Sequence, residues 1–124
     1  MGMIHVPVTI RNPAARERTW DGRFLVDTGA FDSLVPRPQL EAIGLQPTAQ
    51  RAYELADGSE ITMDITVGEL VVMGEAVGGT VIFGAADTEP ILGVTALESA
   101  GVEIDPRTQS LKKLPAVRLK SLRA

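Results

Sequence analysis

Cysteine is absent from the chain, so it can hold no thiol nucleophile, disulfide framework, or Cys-ligated zinc or iron–sulfur centre. Histidine occurs once, as His5, which excludes a multi-His zinc site. A Ser-His-Asp triad would have to use that residue, on an apparent strand at the start of the chain, where an exposed strand histidine is the simpler reading. Aromatic residues make up only 4% of the sequence, leaving Val, Ile, Leu and Ala to build the core. No apolar run approaches the length of a membrane helix; the longest clear one is Leu70-Val71-Val72-Met73. The start of the chain lacks a basic segment followed by a long apolar one, so no secretory signal is expected. The missing Cys is compatible with a cytoplasmic location, which is the expectation here. What is left by elimination is carboxylate chemistry, or no catalysis.

The 124 residues that are present fit one domain with a self-sufficient core. Charge is unevenly placed along them. Residues 1–106 hold all 16 acids against six arginines, a net of −10, whereas residues 107–124 hold six bases and no acid, a net of +6. The acidic body argues against nucleic acid as a ligand, and no membrane partner is expected. The basic tail, 116–124, lacks aromatic interleaving and reads as a solvated end, or as a segment lying against the acidic body of the same or a second chain. The domain is then expected over 1–115.

Hydrophobic alternation organises the rest. Ile4, Val6, Val8 and Ile10 have the period of a half-buried strand, ended by Asn12-Pro13. The polar stretch through Arg18 reads as a loop, and Asp21-Gly22 as a hairpin turn into the strand Arg23-Phe24-Leu25-Val26. Leu34-Val35 is a second short apolar piece, stopped by Pro36. A short helix is predicted from Pro38 to Ile43, closed by Gly44, and another from Thr95 to Ala100, closed by Gly101. Tyr53 and Leu55 alternate up to Ala56-Asp57-Gly58-Ser59, and Ile61, Met63, Ile65 and Val67 alternate beyond it, which predicts a hairpin. Further strands are predicted at 69–73 and 76–83. A final pair covers Val102-Glu103-Ile104 and Leu111 to Leu114. Short strands with closely spaced turn signals mean an all-β barrel or sandwich.

The chemically informative segment is Phe24-Leu25-Val26-Asp27-Thr28-Gly29-Ala30. An Asp-Thr-Gly triplet alone would arise in about 2% of chains this long at ordinary composition. Its context carries the argument: an apolar strand before it, Ala after it, then Leu34-Val35-Pro36. With Leu55-Ala56-Asp57-Gly58 and Pro90-Ile91-Leu92-Gly93 followed by a short helix, the chain resembles the retroviral-like (retropepsin-type) aspartic proteases of bacterial and cellular type, from about Val6 to Leu114. The resemblance implies a single-domain closed β-barrel with a flap hairpin and one or two short helices. It implies a hydrolase, an aspartic endopeptidase that takes peptide or protein in extended conformation and uses no cofactor or metal.

The resemblance also assigns roles. Asp27 matches the catalytic aspartate, Thr28 the residue whose hydroxyl locks two such loops together across a dimer axis, and Gly29 the residue that lets substrate backbone approach. Ala30, Phe31, Ala56, Asp57, Gly58 and Ile91 fall at substrate-binding positions, the 56–58 set at the flap tip. Aspartic proteases use two carboxylates that share one proton, because two like charges about 3 Å apart cannot both ionise cheaply. This chain has one Asp-Thr-Gly; its nearest imitation, Asp87-Thr88, is followed by Glu89. A homodimer is therefore implied. The chain departs from the retroviral pattern at Phe31 and Val94, where an Asp and its partner Arg usually stand; both charges are lost together, so no lone buried charge results. Two other readings stay open at this point: a catalytically silent member of the fold serving dimerisation or peptide binding, and an acidic metal site using Asp27 and Asp32, whose spacing does not match a calcium loop.

Overall fold

A computed structural model describes residues 3–119. The basic tail expected over 116–124 lies outside the described residues from position 120 on, and 116–119 are exposed and without regular structure. The elements run β1 (His5–Asn12), β2 (Ala15–Val26), β3 (Ser33–Pro36), α1 (Arg37–Ala42), β4 (Ala49–Glu54), β5 (Glu60–Val72), β6 (Glu75–Gly84), β7 (Ile91–Leu92), α2 (Val94–Ala100), β8 (Val102–Asp105) and β9 (Ser110–Lys113).

Seven strands form one sheet in the order β1-β2-β7-β3-β6-β5-β4. An additional antiparallel pairing of β1 with β5, in register Val8↔Val72 to Arg11↔Glu69, closes six of them into a ring. Closure leaves those six strands without an open end to the ring, where unpaired strands would otherwise template association. β4 stays outside the ring, held along β5 from Ala49↔Ile65 to Glu54↔Glu60. β8 and β9 form a separate two-stranded sheet. The all-β, closed-ring architecture expected from the sequence is what the chain adopts.

The interior is filled as the alternation predicts. Val8, Ile10, Phe24, Val35, Leu40, Leu70, Val72, Val81 and Leu92 are each at most 2% exposed. α1 contributes Leu40 and α2 contributes Ala96, Leu97 and Ala100 to the same core. The two helices lie at 37–42 and 94–100, within one residue of their predicted bounds. The terminal hairpin of β8 and β9 is also where the alternation placed it.

Two expectations fail. Asp21-Gly22 is no turn: β2 is continuous from Ala15 to Val26, and the chain reverses at Pro13-Ala14, where Asn12 Oδ1 accepts from Ala14 N–H at 2.9 Å. Trp20 and Phe24 share one face of β2 across Gly22, their ring centroids 6.0 Å apart. A Cβ on Gly22 would come within 2.5 Å of the Trp20 ring, so the glycine makes room for the aromatic contact. Asp21 meanwhile accepts from Thr9 Oγ1 at 2.6 Å on β1. The second failure is the break expected near residue 68. β5 runs unbroken through Gly68, which faces Gly79 of β6.

Candidate active site

β2 delivers the Asp-Thr-Gly loop, and short backbone bonds fix where it starts. Leu25 N–H donates to the Pro90 carbonyl (3.0 Å), Val26 N–H to Ile4 (2.8 Å) and Asp27 N–H to Leu92 (3.1 Å). Asp27 therefore leaves a strand held on both sides, by β7 and by the segment leading into β1. The loop turns at once: Ala30 N–H returns to the Asp27 carbonyl at 3.1 Å, and Gly29 N–H donates to Asp27 Oδ1 at 2.9 Å. That side-chain bond is the Asx-type turn favoured by Asp at a strand end, and it orients the carboxylate. Asp27 is half-buried, whereas Thr28 and Gly29 are exposed.

The chain then passes under the start of α2. Val94 N–H donates to the Ala30 carbonyl (2.9 Å), and both Thr95 N–H (3.2 Å) and Thr95 Oγ1 (3.0 Å) donate to that of Phe31. Gly93 N–H donates to Ser33 Oγ at 3.0 Å, in a buried position. A Cβ on Gly93 would lie 2.6 Å from the Asp32 carbonyl carbon, so glycine is demanded there by the backbone approach itself. Phe31 and Val94, which replace a charged pair of the retroviral pattern, thus sit in segments joined by neutral hydrogen bonds.

A cleft of about 690 Å³ opens beside this loop. Gly29, Ala30, Phe31, Asp32 and Leu34 line one side, residues 51–55 with Ile61 and Met63 the other, and Ile82 completes it. The second wall is the β4–β5 hairpin expected from the sequence. Its tip closes with Leu55 N–H donating to the Ser59 carbonyl at 2.7 Å and Gly58 at φ 86°. Asp57 Oδ1 accepts from Ser59 N–H (2.9 Å) and Ser59 Oγ (2.5 Å), and these bonds hold the Asp57 carboxyl below the usual carboxylate range. Lower on the hairpin, bonds from Gln50 (3.0 Å) and Arg37 (2.6 Å) lower Asp64 in the same way.

Of the residues singled out in the sequence, Gly29, Ala30 and Phe31 line the cleft and Asp27 and Thr28 adjoin it. Ala56, Asp57 and Gly58 stand exposed at the hairpin tip, outside the cleft lining of a single chain. Ile91 is half-buried on β7, between Leu25 of β2 and Leu34 of β3, and does not line the cleft either. Among the described residues, no group of three or more His, Asp or Glu side chains could hold a metal ion, so Asp27 and Asp32 gain no third ligand.

Sequence reading missed one cluster. Asp32, with its side chain 3% exposed, accepts from Arg51 Nη1 at 2.7 Å and from Tyr53 Oη at 2.6 Å, both on Oδ2. Burial first, and then the bond to Asp32, push the Tyr53 phenol well above its ordinary value; the Asp32 charge raises Arg51. The available signal was the two-residue spacing of Arg51 from Tyr53, which carries the Tyr53–Leu55 alternation back one step and puts Arg51 and Tyr53 on one face of β4. The same period places Tyr53 with Leu55 and Ile61 with Met63 as facing sets, and these line the cleft.

A closed ring of strands with an Asp-Thr-Gly loop at a cleft, walled by a hairpin, is the architecture of the single-domain aspartic protease fold. Residues 6–96 match the aspartyl protease family model, and the chain belongs to that family. The fold is similar to the solution structure of simian foamy virus (mac) protease, with a TM-score of 0.52 at 18% identity over 75% of this chain and 92% of that one. No curated protein sequence matches the chain.

Proposed function

We propose that the chain is a peptidase whose working unit is a homodimer, with Asp27 of each copy meeting across a two-fold axis. The observation that carries this is the Asp27-Thr28-Gly29 loop: its carboxylate is oriented by Gly29 N–H, its next two residues are exposed, and it adjoins a cleft large enough for peptide side chains. One chain supplies one such loop. The imitation at Asp87-Thr88-Glu89 is a turn, with Thr88 N–H donating to Ala85 and Glu89 paired with His5 at 2.7 Å.

In the dimer one carboxylate acts as base and takes a proton from water as the water oxygen bonds to the peptide carbonyl carbon. The other acts as acid and gives its proton to the carbonyl oxygen as the C=O π bond opens. On collapse the C–N bond breaks, the first carboxyl passes the proton it took to the leaving amine nitrogen, and the second recovers its proton as the C=O re-forms. In this reading Thr28 bonds across the axis and Gly29 admits substrate backbone, roles that the exposure of both residues supports. The 56–58 tip acts as a flap, adding backbone hydrogen bonds to an extended peptide and excluding water. Phe31, Leu55 and Ile61, exposed by 61%, 47% and 42%, line the cleft together and favour large apolar substrate side chains.

The test is Asp27→Asn. Cleavage of a peptide library at mildly acidic pH vanishes in the variant while sedimentation still shows the dimer. Cleavage that survives the substitution refutes the proposal. A strictly monomeric, inactive protein at high micromolar concentration would instead support the silent binding module.

A further inference from the structure

β4 is the one strand of the sheet outside the closed ring, paired along a single side to β5. A two-stranded ribbon is a weak element in water, so the position of this hairpin over the cleft depends on what else holds it. From the Asp-Thr-Gly side the hold is Asp32. It stands two residues beyond Ala30 and receives both Arg51 and Tyr53 of β4 on one oxygen. Phe31, Asp32 and Arg51 also form the partition between the 690 Å³ cleft and a second cavity of about 290 Å³ that runs toward Thr80, Thr95 and Ser99.

We infer that Asp32 is a positioning residue that latches the β4–β5 hairpin to the Asp27 loop through Arg51 and Tyr53, and that cancels the Arg51 charge on the cleft wall. The asymmetry of burial supports both parts. Asp32 is enclosed while the Arg51 side chain is 43% exposed, so removing the acid leaves a cation facing the cleft without its counter-charge. Two charge-assisted bonds to a buried carboxylate are the strong kind, and Asp32→Asn removes the charge from both.

The latch part needs no enzymatic activity for its test. In Asp32→Asn, amide hydrogen exchange over 49–54 accelerates at least tenfold while core amides of β1 and β2 are unchanged, the expected size for losing bonds to a charged group. Exchange at 49–54 within twofold of the parent refutes the latch. If Asp32→Asn does not fold, Tyr53→Phe removes one hydroxyl from a half-buried side chain, and an acceleration of about threefold is expected there; no change overturns the inference equally.

The kinetic arm rests on the proposed peptidase reading. KM for a neutral extended peptide rises about tenfold in Asp32→Asn, with kcat within about threefold and an unchanged pH profile. A peptide with one acidic side chain near the scissile bond is favoured over its neutral analogue by at least tenfold relative to the parent, and added salt erodes the gain. Equal loss on both peptides, or a fall in kcat with KM unmoved, refutes the charge-masking part. A parent protein that cleaves nothing sinks the peptidase reading and leaves the exchange result to decide the latch.

Discussion

Adding one methyl group at Gly93 tests how the Asp-Thr-Gly loop is supported. Gly93 has φ −85° and ψ 169°, an extended conformation open to any residue, so Gly93→Ala carries no backbone penalty of its own. Its cost is steric. The new Cβ would stand 2.6 Å from the Asp32 carbonyl carbon, 2.7 Å from the Asp32 oxygen and 2.8 Å from the Phe31 oxygen. All three are backbone atoms of a segment held by the Ala30, Phe31 and Ser33 bonds, so no rotamer change relieves the clash. Overpacking of this kind costs about 1–3 kcal/mol, and retreat of the segment stretches hydrogen bonds worth about 1 kcal/mol each. The expected loss is about 3 kcal/mol, or a fall in Tm on the order of 10 °C for a chain of this length.

Urea unfolding followed by Trp20 fluorescence measures it, since this is the only tryptophan and it contacts Phe24. Two protein concentrations separate folding from association. Gly78→Ala is the internal control, because a Cβ there meets nothing within 4 Å, and its stability stays within about 0.5 kcal/mol or rises slightly. A Gly93→Ala protein within about 0.5 kcal/mol of the parent refutes the close approach as the reason for glycine.

Three further outcomes are expected. Tyr53 is the only tyrosine, so absorbance near 295 nm reports it alone, and the phenol stays protonated above about pH 10, where a free tyrosine ionises. A raised folded value means the stabilisation is complete below about pH 10 and is lost as pH rises through the folded value, so titration at the ordinary value in folded protein counts against the buried phenol. Asp57 is shifted the other way: its contribution to the hairpin tip is present above about pH 4 and lost as pH falls through the lowered value, seen as loss of the Ser59 amide shift on acidification. Phe31→Ala leaves unfolding within about 0.5 kcal/mol, since the ring is exposed, but raises KM for an apolar peptide about tenfold, the worth of burying part of a phenyl ring; an unchanged KM removes Phe31 from the binding surface.

The same dipeptide shows what sequence can and cannot tell. Asp57-Gly58 is a turn because alternating apolar positions stand on both sides of it, Tyr53 and Leu55 before, Ile61 and Met63 after. Asp21-Gly22 lacks that partner run, since residues 14–18 offer no apolar alternation, and the rings of Trp20 and Phe24 across the glycine mark one continuous face. The shape of the Asp27 loop was legible because it is local: strand, turn and carboxylate lie within seven residues. The ring closure at Val8↔Val72 and the meeting of Asp32 with Arg51 and Tyr53 were not. Both are set by strand register across long separations, and a one-residue slip would turn Arg51 and Tyr53 to the other face.

Those long-range contacts also explain how the loop tolerates the charges missing at 31 and 94. In the retroviral pattern an ion pair joins the loop to the segment before the second helix. Here the same two segments are joined by donors from Gly93, Val94 and Thr95, all neutral, and the acid stands one residue further on, at Asp32, aimed at β4 instead of at α2. Neutral bonds near 1 kcal/mol each neither titrate nor weaken with salt, so the attachment of the loop to the helix is constant across conditions. The ionic contact has been moved to the more weakly held partner, the hairpin. A charge-assisted bond gains most where the alternative is a single-sided ribbon in water, and loses least where the acid is enclosed and screened little by salt. The two supports nevertheless meet at one residue, since a Cβ on Gly93 presses on the Asp32 backbone itself. Substitutions at Gly93 and at Asp32 should therefore depart from additivity in stability, with a coupling of about 0.5 kcal/mol or more in a double-mutant cycle, while diverging in their effects on peptide binding.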